Sequence, residues 1–191
     1  AKSSMDEVDY DYSGRPYGGL SILCKQNSKL SFSEIETNSD RILAVTVSDT
    51  SDSIVQTLIS VYLPYYDHAC LEQTDLFLNT IDALQCLLDD YGMLAPVKIL
   101  GNMNVQLPRH GNLHKKWYKD KGYNSHSSIL HDFMIANDLV TADFINVQGE
   151  KYSYFNHKRG TYTWIDHVLT SAYDTPNIKS CYIIPEETLN A

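Results

Sequence analysis

The sequence predicts an α/β layered sandwich built on mixed sheets. Three observations lead there. Short apolar or alternating segments dominate the first 63 residues. One long amphipathic helical pattern then separates two strand patterns, and a second helical pattern precedes a final run of strands. Strands followed by helix, strand, helix and strands are the order expected when helices cover a mixed sheet.

Each element has its own justification. Residues 1–13 are polar, acidic and Tyr-rich and read as a tail, with one domain expected over 14–191. Gly18-Gly19 opens an apolar segment, Leu20 to Cys24, read as a strand and broken by Asn27 and Ser28. Leu30 to Ile35 alternates with period two, as a half-buried strand does. Arg41 to Val47 is a further strand, and Asp49 to Ser53 a turn of small polar residues. Thr57 to Leu63 is a mostly apolar strand stopped by Pro64.

Over 74–91 the residues Phe77, Ile81, Leu84 and Leu88 recur at helical spacing and make one apolar stripe, with Gly92 as the stop. Val97 to Gly101 is a short buried strand. Residues 105–125, with Pro108, Gly111 and Gly122, read as loop. Residues 127–138 read as a second helix with Leu130, Phe133 and Met134 on one side. Tyr152 to Phe155, Tyr162 to Leu169 and Cys181 to Ile184 close the chain as strands.

Bulk properties narrow the function classes. Hydrophobic residues make up 43% and charged residues 20% of the 191, a globular composition. No apolar run reaches membrane-spanning length, so no membrane partner is expected. Cys24, Cys70, Cys86 and Cys181 show no CxxC spacing, which argues against zinc and a disulfide framework and for reduced core or surface thiols of an intracellular protein, chiefly as buried apolar filler. The formal net charge of −9 works against tight non-specific binding of nucleic acid, because such binding depends on cations that neutralise phosphates.

Three segments carry a family resemblance. Gly14-Arg15-Pro16-Tyr17-Gly18-Gly19 leads into the first apolar segment. Ile59-Ser60-Val61-Tyr62-Leu63-Pro64 is followed by the helix and then by Gly101-Asn102-Met103-Asn104. Thr161-Tyr162-Thr163-Trp164-Ile165-Asp166-His167-Val168-Leu169 comes last. In this order they resemble the endonuclease/exonuclease/phosphatase superfamily, specifically the endonuclease domains of non-LTR (LINE-type) retrotransposons. The helix containing Phe133, Asn137 and Leu139 sits where that family has a similar one.

The resemblance implies a four-layer, DNase I-like sandwich, here lacking its N-terminal strands and its C-terminal end. It also implies magnesium-dependent hydrolysis of DNA phosphodiesters. Tyr62 matches the family's phosphate-side Tyr, and Asn104 the Asn of its Gly-Asp-Phe-Asn turn. Asp166 matches the Asp that orients a catalytic His, and Thr163 stands where a Ser is common. The family's metal-holding Asn and Glu have no counterpart ahead of Gly14, so the magnesium ligands are unknown; Asp6, Glu7, Asp9 and Asp11 are weak replacements. The Ser-Asp-His that carries the His would follow a segment like Glu186 to Asn190.

Asn102 is the sharpest departure, because the family has an Asp there. An amide offers one acceptor and an NH₂ donor and cannot take a proton near neutral pH. Removing a general base ordinarily costs roughly 10²–10⁴-fold in rate. An impaired enzyme is therefore expected. The alternative is a non-catalytic binding or structural module descended from the nuclease.

Weaker candidates remain. Lys115, Lys116 and Trp117 lie in a basic stretch interleaved with aromatics that suits contact with phosphates and bases, against the plainer option of a solvated loop. His157 sits in an expected hairpin turn near the site. His167 follows Asp166 in a strand, faces the other way and reads as structural. His110, His114, His126 and His131 lack ligand-like spacing. DNA is the expected partner, weakly bound. A sheet edge exposed by the absent strands suggests cover by residues 1–13 or self-association with a second copy.

Overall fold

The computed structural model describes residues 19–25, 27–107, 124–145, 147–149, 152–156 and 160–183. Its centre is a six-stranded sheet of β1 (Ser31–Ile35), β2 (Ile42–Ser48), β3 (Ile54–Tyr62), β4 (Val97–Asn102), β5 (Leu139–Thr141) and β9 (Asp166–Ser171). The strand order is β1-β2-β3-β4-β9-β5. Among the described residues of this sheet only the β3–β4 pair is parallel, and the long helix α1 (Leu71–Tyr91) makes the crossover between them. A parallel pair needs such a crossover, since a tight turn can only reverse the chain. Two small sheets flank the centre. One pairs β6 (Val147–Gly149) with β10 (Cys181–Ile183), and the other pairs β7 (Tyr154–Asn156) with β8 (Thr161–Thr163).

The register sorts the sheet residues by face. Ala44, Ile59, Ile99 and Leu169 fall opposite one another across four strands and are buried. They share a core with Phe77, Ile81, Leu84 and Leu88 of α1 and with Leu130, Phe133 and Met134 of α2 (Ser125–Ala136). Both apolar stripes expected from the periodicity therefore pack on one face of the sheet. Burying an aliphatic or aromatic side chain stabilises by roughly 1.5–3 kcal/mol, so this helix-on-sheet face is where most of the fold's stability arises.

Several boundaries differ from expectation for local reasons. Leu20 makes a single bridge, residues 21–25 form no strand, and Leu23 is almost fully exposed. The segment is apolar but has no ladder to join. Helix α1 starts at Leu71, three residues before the expected start at 74. Gly92 stops it in a right-handed conformation, where a Cβ would lie 2.5 Å from the Leu88 carbonyl oxygen, so here glycine supplies room and not a left-handed turn.

Helix α2 begins earlier because Asn124 caps it, its side chain accepting from Ser127 N at 3.0 Å. Leu139 is not helical; it opens β5. The expected strand Tyr162 to Leu169 is two strands, β8 and β9, interrupted at Trp164-Ile165. The four cysteines are unpaired and none is buried in the core, which corrects the filler expectation. Among the described residues no helix is long and apolar enough to cross a membrane.

Candidate functional site

The sheet register brings three of the sequence candidates into one row. Tyr62, the last residue of β3, is opposite Asn102, the last of β4. Asn102 is opposite Asp166, the first of β9. Residues directly opposite in a ladder share a face. The row therefore lies across one end of three interior strands, on the face away from α1 and α2.

Backbone geometry at the end of β4 gives the row its shape. Gly101 has φ 146°, and a Cβ there would sit 1.9 Å from the Val61 carbonyl oxygen, so only glycine permits this approach of β3 to β4. The chain then turns sharply. Asn102 Oδ1 accepts from Asn104 N at 2.8 Å, a turn closed by the side chain. Asn104 takes a left-handed φ of 51°, which Asn tolerates, and its Nδ2 donates to Leu63 O at 2.7 Å. Leu63 N donates to Asn102 O at 2.9 Å and Met103 N to Ile165 O at 2.8 Å. The turn is thus bonded to the strand on each side.

Asp166 is organised by a residue the sequence did not single out. Ser153 Oγ accepts from both Ile165 N and Asp166 N at 3.0 Å. Burial raises the Asp166 carboxyl above its ordinary range, although the residue keeps exposed surface. A hydrogen bond from the Ser153 hydroxyl and the nearby His167 oppose that rise without cancelling it. A carboxyl pushed this way binds a proton more readily than a solvated one.

His167 points to the opposite face, as its position in the strand implies, and is buried. Its Nδ1 lies 3.0 Å from Asp143 Oδ2, and its Nε2 lies 3.1 Å from the carbonyl oxygen of Val105. Asp143 Oδ1 also accepts from Val168 N at 2.8 Å. This pair staples the segment after Asn104 to β9 from beneath. Nothing in the sequence marked Asp143, which sits in a 3-10 turn (Ala142–Phe144) between two short strands.

Thr163 does not join the row. It belongs to β8, opposite Tyr154, with its hydroxyl buried and unpartnered among the described residues. Lys115, Lys116, Trp117 and His157 lie outside the described residues, as do Gly14 to Gly18 and the tail 1–13. Beside Asp166 and Ser153 a cavity of about 350 Å³ opens, walled by Trp164, Cys181 and Tyr182 among others. The Cys181 thiol is pushed up by burial and by Asp143, so it is not an activated nucleophile.

Magnesium needs several oxygen donors, usually including carboxylates. The row offers one carboxylate, Asp166, and the Asn102 oxygen is already engaged by Asn104 N. Among the described residues no three His, Cys, Asp or Glu side chains converge on a point that could hold a metal ion. The described residues alone do not fit a magnesium site.

No protein-family model matches the sequence, and no curated protein does. Solved structures do resemble the fold. A 3′ phosphatase, NExo, from Neisseria, carrying a D146N substitution and bound to a product DNA hairpin, superposes with a TM-score of 0.54 at 18% identity, over 79% of this chain and 60% of that one. The 3′-5′ exonuclease NExo from Neisseria meningitidis gives 0.53 at 18% identity, over 77% and 59%. The chain thus has the mixed α/β fold of the DNase I-like nucleases and spans about 60% of the length of these two structures.

Proposed function

We propose that this chain is a retrotransposon-derived endonuclease domain whose phosphodiester site is retained in outline and impaired in catalysis. The observation that carries the proposal is the row of Tyr62, Asn102 and Asp166 in register across three strands, with Asn104 tied to it by the turn. A phosphate lying along the row would meet a phenol, an amide and a carboxyl whose proton affinity is raised. Tyr62 and Asn104 supply donors to phosphate oxygens. Asp166, braced by Ser153, would hold an imidazole supplied by another segment. Asn102 occupies the position from which a carboxylate would orient or deprotonate water, and an amide cannot do the second.

The domain is assigned to residues 14–191, with 1–13 as a separate polar tail. DNA is the proposed partner, bound weakly at a net charge of −9. The likeness to a phosphatase and an exonuclease that act on or bind nucleic acid fits this substrate class. One observation favours the alternative of a non-catalytic binding module: Asn102 spends its single acceptor on the backbone of its own turn.

Nicking of supercoiled plasmid in added magnesium tests the proposal. Since Asp can accept from Asn104 N as Asn does, Asn102→Asp keeps the turn. The unaltered chain is expected to stay near background and Asn102→Asp to rise above it. Robust nicking by the unaltered chain would overturn the impairment. Silence from both would leave the binding module as the better reading.

A further inference from the structure

We propose that Arg41 is the fourth member of the row and its phosphate-contacting cation. This deepens the phosphodiester reading and rests on it. The β2–β3 ladder sets Ile42 opposite Val61. One step further along this antiparallel pair Arg41 falls opposite Tyr62, and Tyr62 N donates to Arg41 O at 3.0 Å. The Arg41 side chain therefore leaves the sheet on the face of Tyr62, Asn102 and Asp166. Its Cζ lies over the Tyr62 ring, 5.5 Å from the centroid, within the range of a cation–π contact.

The hairpin end that carries Arg41 is braced. Arg41 N donates to Ser39 Oγ at 3.2 Å, and the Thr37 hydroxyl donates to Ile42 O at 2.9 Å. Arg41 itself is only half-buried. A guanidinium over an aromatic ring engages the ring through its face, whereas it meets phosphate through its donor edge, so both contacts are compatible.

The charge pattern makes this position unusual. Between Ile42 and Val97 the sequence has no Lys or Arg and eight Asp or Glu residues. β3 and α1 therefore bring no Lys or Arg to the row. Lys98, the next cation, belongs to the far end of β4, about 13 Å along the strand from Asn102. There it pairs with Asp174 at 3.2 Å and donates to Gln56 at 3.0 Å. Arg41 is placed by register where an anion on the row would need neutralising.

The salt dependence of binding to a fluorescein-labelled DNA hairpin, read by anisotropy over a sodium chloride series, tests this. Arg41→Gln should weaken binding several-fold at low salt and lower the slope of log K against log salt by about one unit, the loss of one phosphate contact. Arg41→Lys should keep the slope while losing part of the affinity. Lys29→Gln, two positions before β1 and at the opposite end of the hairpin, should bind within about twofold of the parent, as a cation without a phosphate contact does. Thermal melts check that each variant is folded, and if Arg41→Gln unfolds, Arg41→Lys carries the comparison. A folded Arg41→Gln with unchanged slope and affinity overturns the role of Arg41 and leaves the phosphodiester reading standing. Failure of the unaltered chain to bind the hairpin at low salt overturns both.

Discussion

At the scale of single residues, the site depends on a few side chains whose identities the backbone dictates. Gly101→Ala would drive a Cβ into the Val61 carbonyl and impose a conformation that L side chains rarely adopt. It should cost about 2–4 kcal/mol, read as a fall in the chemical denaturation midpoint. Asp166 contributes in the opposite sense. Its folded pKa lies above the ordinary Asp value of 3.8, so the folded chain binds more protons than the unfolded chain between those two values. Stability falls as pH climbs through that window and stays lower above it. Asp166→Asn should therefore melt higher than the parent at pH 7, with the difference fading as pH drops below the ordinary Asp value. Equal melting at pH 7 would show that the carboxyl carries no desolvation cost.

Tyr62, Asn102 and Asp166 are legible in the sequence because the segments that hold them resemble family motifs. Ser153 escaped because a hydroxyl between two tyrosines has no periodic signature; its role appears only when Ile165 and Asp166 are folded back onto it. Arg41 escaped because opposing it to Tyr62 requires the register of a hairpin whose turn length is not written in any single segment.

At the scale of elements, the two helices were legible because their stripes face one apolar surface, whereas the start of α2 was set by its Asn124 cap. Asn124→Ala should cost about 1 kcal/mol by leaving the first turn of α2 without its side-chain acceptor. β8 and β9 read as one strand because Tyr162 to Leu169 keeps strand-forming residues throughout. The break at Trp164-Ile165 is tertiary, arising as Ile165 N and Asp166 N turn to Ser153 and Ile165 O accepts from Met103 N.

His126 ties α2 to α1 and to the segment after β3. It is fully buried, stacks on Phe77 with centroids 3.9 Å apart, meets Tyr66 edge-on and lies 3.3 Å from the Thr74 hydroxyl. Burial lowers its pKa from 6.5, and the Pro64 carbonyl opposes that only in part. For a base depressed in the folded state, stability is complete above the unfolded value and falls as pH drops through about 6.5 toward the folded one. Melting temperature should decline between pH 7 and 5, and His126→Gln should flatten that dependence. An unchanged slope in the variant would place the titration elsewhere.

At the scale of the whole molecule, the proposed site would take an anionic substrate on an acidic chain. Cations at chosen positions must then do what bulk charge cannot, and binding should weaken with salt by a slope of about one per phosphate contact. The sheet also ends in β1, whose outer side is rich in serine and exposed. We propose that a second copy can add there, which sedimentation over a concentration series would register as a rising mass; a constant monomer mass would exclude it.

In the proposed reading a phosphodiester lies along the registered row at the end of β3, β4 and β9. Amide resonances followed by NMR during titration with the DNA hairpin test it most directly. Shifts concentrated at Arg41, Tyr62, Asn102, Asn104 and Asp166 are the predicted result. Shifts confined to α1, α2 or the far end of β4, with those five residues unmoved, would contradict it.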